Sequence, residues 1–258
     1  MTLHVEQAGD GPDLVMLHGW AMHGGIFAPL TALLASRFRL HLVDLPGHGY
    51  SAGDVAAASA DAWAERVAEA VPRGALWLGW SLGGLVALQA ALIARAQVRG
   101  LILIAASPRF VVAPDWPHGV AFEVFEQFGA GLDARYRETI ERFLALETLG
   151  SAHAQAELRD LKTRVFARGE PRIAALQAGL QLLESADLRA RLSDSAVPSL
   201  WIAGRRDRLV PPQAMRWASE QNGKGEFVEM SSGHAPFISH AAEVAQAIGE
   251  FAQRVAAT

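Results

Sequence analysis

The chain has 258 residues, of which 51% are hydrophobic and 19% are charged, and this composition excludes intrinsic disorder, which requires low hydrophobicity and high net charge. The 23 Lys and Arg against 27 Asp and Glu give a formal net charge of −4, which argues against nucleic acid as a partner, because nucleic-acid binders carry a basic surface. The chain contains no cysteine, which excludes disulfides, thiolate metal sites and a cysteine nucleophile.

The sequence pattern suggests neither export nor a membrane. Residues 1–10 contain neither the basic nor the apolar segment of a secretory signal. The most apolar stretch, residues 76–96, is interrupted by polar residues and glycines, whereas a bilayer span needs about 20 apolar residues. We therefore expect a cytoplasmic protein with no membrane partner, and we expect a monomer.

Short apolar runs recur along the chain, and each is followed by turn-forming residues. Several are apolar at consecutive positions rather than alternating, which is typical of strands covered on both faces in a parallel sheet. We predict strands at residues 14–17, 40–43, 76–78, 101–105, 200–203 and 227–230.

Helical patterns lie between these strands. One covers residues 85–94, and the last is the clearest, since Val244, Ile248, Phe251 and Val255 fall on one stripe of a helix. Alternating strands and helices predict an α/β fold with a mostly parallel, doubly wound sheet.

This alternation fails between residues 111 and 187, where helical patterns occur without a convincing strand. Helices are predicted at 134–147, 153–168 and 173–183. We interpret the region as a helical cap inserted into a core formed by residues 1–110 and 188–258. Such caps cover the entrance for substrate.

Residues 79–84, Gly-Trp-Ser-Leu-Gly-Gly, carry the motif with the clearest chemistry. A strand precedes it and a helix follows it, which is the setting of the G-x-S-x-G nucleophile elbow. Side chains at positions 79 and 83 would clash in so tight a turn. The turn presents the Ser81 hydroxyl at the start of a helix, where the dipole favours developing negative charge.

A catalytic serine needs a base and an acid that orients it, and in this kind of fold they follow in the order serine, acid, histidine. Asp207 and His234 each come just after a predicted strand, at the edge of the sheet where α/β proteins hold their sites. Asp187 and Asp194 also lie between Ser81 and His234 but follow no strand, and His240 is expected to begin the last helix. We predict Ser81, Asp207 and His234 as the catalytic residues.

The oxyanion hole requires two backbone donors. One is expected at Leu82, directly after the nucleophile, and the other at Trp20, in the loop after the first predicted strand. His18 is assigned to holding that loop by hydrogen bonds. The turn-rich segment at 44–51 is interpreted as a structural loop, because Asp44 and His48 lack the spacing of a metal site, and no metal or other cofactor is expected.

These motifs together resemble the α/β-hydrolase family: an H-G loop, D-x-P-G-x-G-x-S at 44–51, G-x-S-x-G at 79–83, the late Asp207 and the late His234. Within it, the segments at 41–47, 77–86, 141–146 and 234–240 are similar to the carboxylesterases of biotin synthesis. The segment at 141–146 discriminates best, because it lies in the cap, where general hydrolases vary.

The resemblance implies hydrolysis of the methyl ester of a pimeloyl chain carried on acyl-carrier protein. Ser81 would attack the ester, His234 would move the proton, Asp207 would hold His234, and the amides of Trp20 and Leu82 would hold the oxyanion. The family usually has Gln at the position of Glu147. The implied substrate pocket consists of Trp20, Ser81, Leu82, Phe143, Leu144, Ala145, Leu146, Glu147 and His234.

Acyl-carrier protein is acidic, so the resemblance also implies a basic docking surface on the cap. Residues 159–172 contain five cations and two acids. The family has more arginine around positions 138 and 155, where this chain has Glu138 and Gln155. A solvated charged face is the alternative interpretation. The predicted docking residues are Arg142, Arg159, Lys162, Arg164 and Arg168.

Two other functions stay open from the sequence. The first is another serine hydrolase of the same fold: a short-chain carboxylesterase, a lactonase or a carbon–carbon bond hydrolase. The second is a non-catalytic ligand receptor, which the presence of Ser81, Asp207 and His234 disfavours. Haloalkane dehalogenase and epoxide hydrolase chemistry is also disfavoured, because it requires Asp at the position of Ser81.

Overall fold

A computed structural model describes residues 2–54, 56–149, 151 and 153–257. In this part of the chain the strands are β1 (Val5–Ala8), β2 (Asp13–Leu17), β3 (Arg39–Val43), β4 (Ala75–Trp80), β5 (Val98–Ile104), β6 (Ser199–Gly204) and β7 (Gly225–Met230). They form one sheet in the order β1-β3-β2-β4-β5-β6-β7, in which β1 is antiparallel to β3 and all other neighbours are parallel. The six predicted strands are confirmed as β2 to β7.

The strand order determines where a site can form. The chain passes from β2 to β3 on one side and then returns to place β4 on the other side of β2. This reversal leaves a crevice beyond the carboxyl ends of β2 and β4, which is where α/β sheets bind ligands. Leu17 at the end of β2 pairs with Gly79 near the end of β4, so the segments that follow these two strands are neighbours.

Helices cover the sheet and its carboxyl edge. Among the described residues, no helix is both long enough and apolar enough to cross a membrane. The predicted helix at 85–94 begins three residues earlier, and the last helix buries Val244, Ile248, Phe251 and Val255 as predicted. The helices are α1 (Ala28–Leu34), α2 (Ala60–Ala68), α3 (Leu82–Ile93), α4 (Phe122–Ala134), α5 (Tyr136–Thr148), α6 (Ala154–Val165), α7 (Ile173–Ser185), α8 (Pro212–Gln221), α9 (Pro236–Ser239) and α10 (Ala241–Ala256).

The region between β5 and β6 contains α4 to α7 and, in its described residues, no strand of the sheet. The helices predicted at 134–147, 153–168 and 173–183 correspond to α5, α6 and α7. The predicted start at 134 is wrong, because the chain breaks at Arg135 (φ −145°, ψ 57°), where α4 ends and α5 begins. The cap limits at 111 and 187 stay a prediction.

Several contacts join this helical region to the loop that follows β3, among them hydrogen bonds from Arg172 and Arg168. The Arg172 amide donates a hydrogen bond to the Gly47 carbonyl oxygen (3.0 Å). Nη1 of Arg168, whose side chain is 10% exposed, donates to Oδ1 of the fully buried Asp44 (3.0 Å). These contacts hold α6 and α7 above the carboxyl edge of the sheet.

Candidate active site

Ser81 occupies the turn between β4 and α3. Its backbone has φ 54° and ψ −117°, a left-handed conformation that a residue with a side chain adopts only under strain. The Ser81 amide donates to the Ile104 carbonyl oxygen (3.0 Å), which fixes the turn on β5. The residue is 2% exposed. A strained, buried serine at the start of a helix has the geometry of a nucleophile elbow.

The glycines of the elbow are required by close approaches of the backbone. A Cβ atom at Gly79 would lie 2.3 Å from the carbonyl oxygen of Gly83, and one at Gly83 would lie 2.2 Å from the carbonyl oxygen of Leu17. A Cβ atom at Gly84 would lie 2.3 Å from that of Ala106. The predicted clash of side chains at positions 79 and 83 is confirmed.

Asp207 and His234 form a buried pair beyond the ends of β6 and β7. Nδ1 of His234 lies 2.7 Å from Oδ2 of Asp207, while Oδ1 of Asp207 accepts the amides of Leu209 (2.8 Å) and Val210 (2.9 Å). Because a carboxylate only accepts, Nδ1 carries the proton and Nε2 keeps a free lone pair. Nε2 is buried and has no hydrogen-bond partner among the described residues, so Ser81 is not bonded to it in this structure.

The surroundings of His234 favour its protonated form. Burial alone would lower the pKa of His234, but the charge of Asp207 and the hydrogen bond to it outweigh burial and raise that pKa. The backbone beside the ring is held as well, since Nε1 of Trp80 donates to the carbonyl oxygen of His234 (2.9 Å). The imidazole is thus fixed in place and basic.

The predicted oxyanion donors lie on both sides of the crevice. Leu82 begins α3, and Trp20 belongs to the loop after β2. Neither amide donates to an acceptor within residues 2–54, 56–149, 151 and 153–257. Gly19 brings the loop close to the elbow, because a Cβ atom there would lie 2.9 Å from the ring of Trp80. The two amides are therefore free to bind an anion.

His18 holds this loop, as predicted. Its Nε2 accepts the amide of Leu45 (2.9 Å), so Nδ1 carries the proton and donates to the carbonyl oxygen of Gly19 (2.8 Å). Burial, together with the neighbouring His48, lowers the pKa of His18 well below its usual value. The ring is neutral and structural, and the hydrogen-bonding role is confirmed.

Two helices of the region between β5 and β6 cover the crevice. On α7, Gly179 lies so close that a Cβ atom would be 2.9 Å from Cδ1 of Trp20 and 3.1 Å from Cδ2 of Leu82. Nε1 of Trp20 donates to the carbonyl oxygen of Leu176 (2.8 Å). On α5, the ring of Phe143 lies 4.6 Å from that of Trp20. Together they leave Ser81 almost without contact with solvent.

The segment at 143–147, predicted as part of the pocket, is divided by the helical period of α5. Phe143, Leu144 and Glu147 are buried, and Leu146 is half-buried. Ala145 is exposed on the outer face, so its side chain does not reach the covered crevice. The inner face of α5 thus presents Phe143 and, one turn later, Glu147.

None of the rival residues, which all lie in the described part of the chain, is hydrogen-bonded to His234, whose Nδ1 is bound to Asp207. Asp187 forms ion pairs with Arg109 (2.8 Å) and Arg189 (2.7 Å), which hold its pKa low, at about 2. Asp194 is exposed. His240 precedes α10 at its N-cap position, as expected.

The loop at 44–51 is structural, as interpreted from the sequence. Asp44 accepts the amides of Gly24 (2.7 Å) and Tyr50 (2.8 Å) in addition to Arg168. His48 donates to the Pro46 carbonyl oxygen, and burial lowers the pKa of its ring to about 4. In the part of the chain that the structure describes, no three or more His, Asp or Glu residues form a group that could hold a metal.

The five predicted docking cations are not equivalent. Arg142 and Arg159 are exposed and form no ion pair with any described residue. Lys162 is paired with Glu141, and Arg164 with Asp160. Arg168 differs from the others: its side chain is largely buried against Asp44 and Glu6 and does not belong to a free surface. The sequence around Arg168 did not indicate its pairing with Asp44 and Glu6, which are far away in the chain.

Some residues of the site were not predicted as such. Trp80 anchors His234, and Gly179 admits α7 above Trp20 and Leu82. The tryptophan lies inside the elbow motif, so its position alone could have drawn attention. Gly179 is an isolated glycine within a helical pattern, which signals close packing but not its partner.

A search among family models matches residues 14–247 to the "Alpha/beta hydrolase family". The chain belongs to the α/β-hydrolase family. The fold, with its mostly parallel sheet, agrees with solved structures that are similar to it. An esterase from Exiguobacterium antarcticum has a TM-score of 0.86 at 21% identity, covering 97% of this chain and 95% of that chain. An enol-lactonase from Burkholderia xenovorans has a TM-score of 0.84 at 18% identity, covering 97% of this chain and 96% of that chain.

Curated relatives in this α/β-hydrolase family are more similar in sequence. The chain is 53% identical over 254 residues to the pimeloyl-[acyl-carrier protein] methyl ester esterase of Xanthomonas oryzae pv. oryzae, covering 98% of this chain and 100% of that protein. It is 53% identical over 250 residues to the protein of the same name from Stenotrophomonas maltophilia, covering 96% of each. These alignments include the helices α4 to α7 between β5 and β6 as well as the sheet.

Proposed function

We propose that this chain is a serine carboxylesterase that hydrolyses the methyl ester of pimeloyl-[acyl-carrier protein] and releases methanol. The observation that carries the chemistry is the strained, buried Ser81 beside a His234 whose Nδ1 is bound to Asp207 and whose Nε2 is free. The substrate is supported by the relatives of that name, which are 53% identical over nearly the whole chain.

The first half of the reaction forms an acyl-enzyme. Oγ of Ser81 attacks the ester carbonyl carbon while Nε2 of His234 takes the hydroxyl proton, which requires Ser81 and Nε2 to approach once substrate is bound. Asp207 keeps the proton on Nδ1 and stabilises the imidazolium. His234 then donates its proton to the departing methoxide oxygen, so methanol leaves as a neutral molecule.

The oxyanion forms between the amides of Trp20 and Leu82, both of which lack an acceptor in the described residues. These donors are placed before the reaction begins, so they stabilise the charge without reorganisation. In the second half, His234 activates a water molecule that attacks the acyl-enzyme, and the proton returns to Ser81. The product is a free carboxylate at the end of the carrier-bound chain.

We propose that residues 111–187 act as the cap and that Arg142 and Arg159 are the principal docking residues for the acidic carrier protein. Both are exposed, and neither is neutralised by an ion pair with a described residue. Lys162 and Arg164 contribute less, because each already has an acidic partner. Arg168 is left out of this set, because its guanidinium already forms ion pairs with Asp44 and Glu6.

The proposal is tested by the turnover of carrier-bound pimeloyl methyl ester and of small aryl esters. Ser81→Ala should abolish turnover of both and leave the circular dichroism spectrum and Tm unchanged. Arg142→Glu with Arg159→Glu should raise KM for the carrier-bound ester and leave the aryl ester unaffected. Arg73→Glu, an exposed cation near the opposite edge of the sheet, is the matched control.

Equal kcat/KM for carrier-bound and small esters, with no effect of the double charge reversal, would favour a general short-chain esterase or lactonase. A wild-type rate in Ser81→Ala would refute the site itself. The biological role is tested separately: the chain should restore growth without biotin to cells that lack their own esterase.

A further inference from the structure

Glu147 places a carboxyl group at the site that the reaction described above does not use. It lies in the last turn of α5 and is 1% exposed. Neither Oε1 nor Oε2 has a hydrogen-bond partner among the described residues. A buried carboxylate without a donor is costly, so such a group is retained as a neutral acid.

Glu147 is a neighbour of His234, and its carboxyl interacts electrostatically with His234 and Asp207. Its carbonyl oxygen accepts the amide of His234 (3.2 Å). It shares the inner face of α5 with Phe143, whose ring packs on that of Trp20. The inner face of α5 therefore covers the crevice near Trp20 and His234 with one apolar ring and one acid.

The charged groups around Glu147 come from three directions. Burial raises the pKa of Glu147 to about 8; the charge of Asp207 also acts to raise it, and His234 acts in the opposite direction. From α6, Glu157 is also buried, but its Oε1 accepts the hydroxyl of Ser151 (2.6 Å). Glu147 thus differs from Glu157 in having no donor of its own.

An ionised Glu147 carboxylate, which has no donor among the described residues, would need water in the crevice, and a bound acyl chain excludes that water. Filling the space with apolar groups penalises the ionised form further and leaves the neutral form nearly unaffected. By thermodynamic linkage, an ionised Glu147 must weaken binding of the chain by the same factor.

We propose that Glu147 is a specificity-determining residue whose ionisation and the binding of the acyl chain exclude each other. The enzyme binds its ester only while this carboxyl is protonated. The proposal rests on the proposed function and adds to it a proton-dependent control of substrate binding. Ionisation therefore raises KM, while kcat changes little, because substrate binding is coupled to uptake of one proton from solvent, so Glu147 is protonated in the complex.

The test measures KM and kcat for carrier-bound pimeloyl methyl ester from about pH 7 to about pH 9. A group that titrates at about 8 and must be protonated for binding gives a rise in KM of about tenfold over this range. In Glu147→Gln, which is neutral and of similar shape, the KM at the two ends of the range should agree. Glu157→Gln is the matched control and should keep the wild-type rise.

A flat wild-type KM, or a rise that persists in Glu147→Gln, would overturn the inference. The wild-type series decides this even if the Gln variant does not fold. If the proposed function itself is wrong, the carrier-bound ester is not turned over at about pH 7, and this result is distinct from a flat KM. In that case the same series with a long-chain aryl ester decides the inference, because the acyl chain occupies the same crevice.

Discussion

At Gly83 the elbow has no space for a side chain, since a Cβ atom there would lie 2.2 Å from the carbonyl oxygen of Leu17. We expect Gly83→Ala to lower the free energy of unfolding by about 1–3 kcal/mol, because the backbone must shift to accept the methyl group. The shift also moves Ser81 and Leu82, so ester turnover should fall. Urea unfolding and steady-state rates measure the two effects.

Gly129→Ala is the control for this substitution. Gly129 lies in α4, and a Cβ atom there would meet only Cδ1 of Leu180, at 3.9 Å, so the variant should gain about 0.5–1 kcal/mol from helix propensity. Equal stability of the two variants would contradict the close approach at Gly83.

Asp207 controls how basic His234 is. Since the imidazolium cannot accept a proton, kcat/KM of the wild type should be lost as the pH falls through the raised pKa of His234. Asp207→Asn removes the charge that raises this pKa, so the midpoint of the acid limb should move to lower pH. The rate should also fall on the order of a thousandfold or more, because the imidazole loses its tautomer and orientation.

Asp194→Asn is the control, because Asp194 is an exposed carboxylate that precedes the same strand. An unchanged acid limb in Asp207→Asn, measured as kcat/KM against pH, would show that another group sets it.

Which residues could be predicted depended on how local their cause is. The elbow at Ser81 and the positions of Asp207 and His234 follow from short motifs after strands. The free Nε2 of His234 and the buried carboxyl of Glu147 depend on how α5 lies over the sheet, which no local pattern encodes. For the same reason the burial of Arg168 escaped prediction.

At the scale of elements, α5 carries a stability cost at its inner face. The folded state favours neutral Glu147, whose pKa is raised from 4.5 to about 8. The stabilisation that comes from this raised pKa is complete below about pH 4.5 and is lost as the pH rises to about 8. Relative to Glu147→Gln, the free energy of unfolding of the wild type should therefore fall by up to about 1.4 kcal/mol per pH unit across this window.

Urea unfolding of both proteins at a series of pH values measures this difference. The comparison of slopes removes the constant effect of replacing an acid by an amide. Parallel curves from about pH 5 to about pH 8 would mean that Glu147 is ionised in the folded protein.

β1 and α4 escaped prediction for different physical reasons. β1 is a four-residue edge strand, Val-Glu-Gln-Ala, whose residues are half-buried or exposed and whose pairing with β3 supplies its stability. It has no apolar run for a pattern to detect. α4 contains Gly129 and Gly131, which lower helix propensity, and it is stabilised by packing on α5 and α7.

At the scale of the whole molecule, Arg168 and Asp44 join the region between β5 and β6 to the core. Arg168→Met leaves the buried Asp44 with its two amide donors but without its cation, so we expect a loss of about 3 kcal/mol in the free energy of unfolding. Arg159→Met, which removes an exposed cation, should stay within about 0.5 kcal/mol. Urea unfolding of both variants checks this, and equal values would contradict a structural role for the ion pair.

The overall architecture was the most predictable level. Consecutive apolar residues in short runs, separated by helical stripes, indicate a parallel α/β sheet because strands covered on both faces must be apolar throughout. The arrangement of α4 to α7 over the crevice was not predictable, because it depends on contacts such as Gly179 against Trp20 that join residues far apart in sequence.

Because Ser81 is almost completely buried, the rate at which a reagent modifies it should report how often the crevice opens. A phosphonylating reagent can reach the 2% exposed serine only during excursions that separate α5 and α7 from the crevice. As the reagent concentration rises, the inactivation rate should approach a plateau equal to the frequency of those excursions. The plateau rate should be measured with the protein alone and with unacylated carrier protein added. A higher plateau with carrier protein would show that the carrier promotes opening, and an unchanged plateau would show that opening is independent of the carrier.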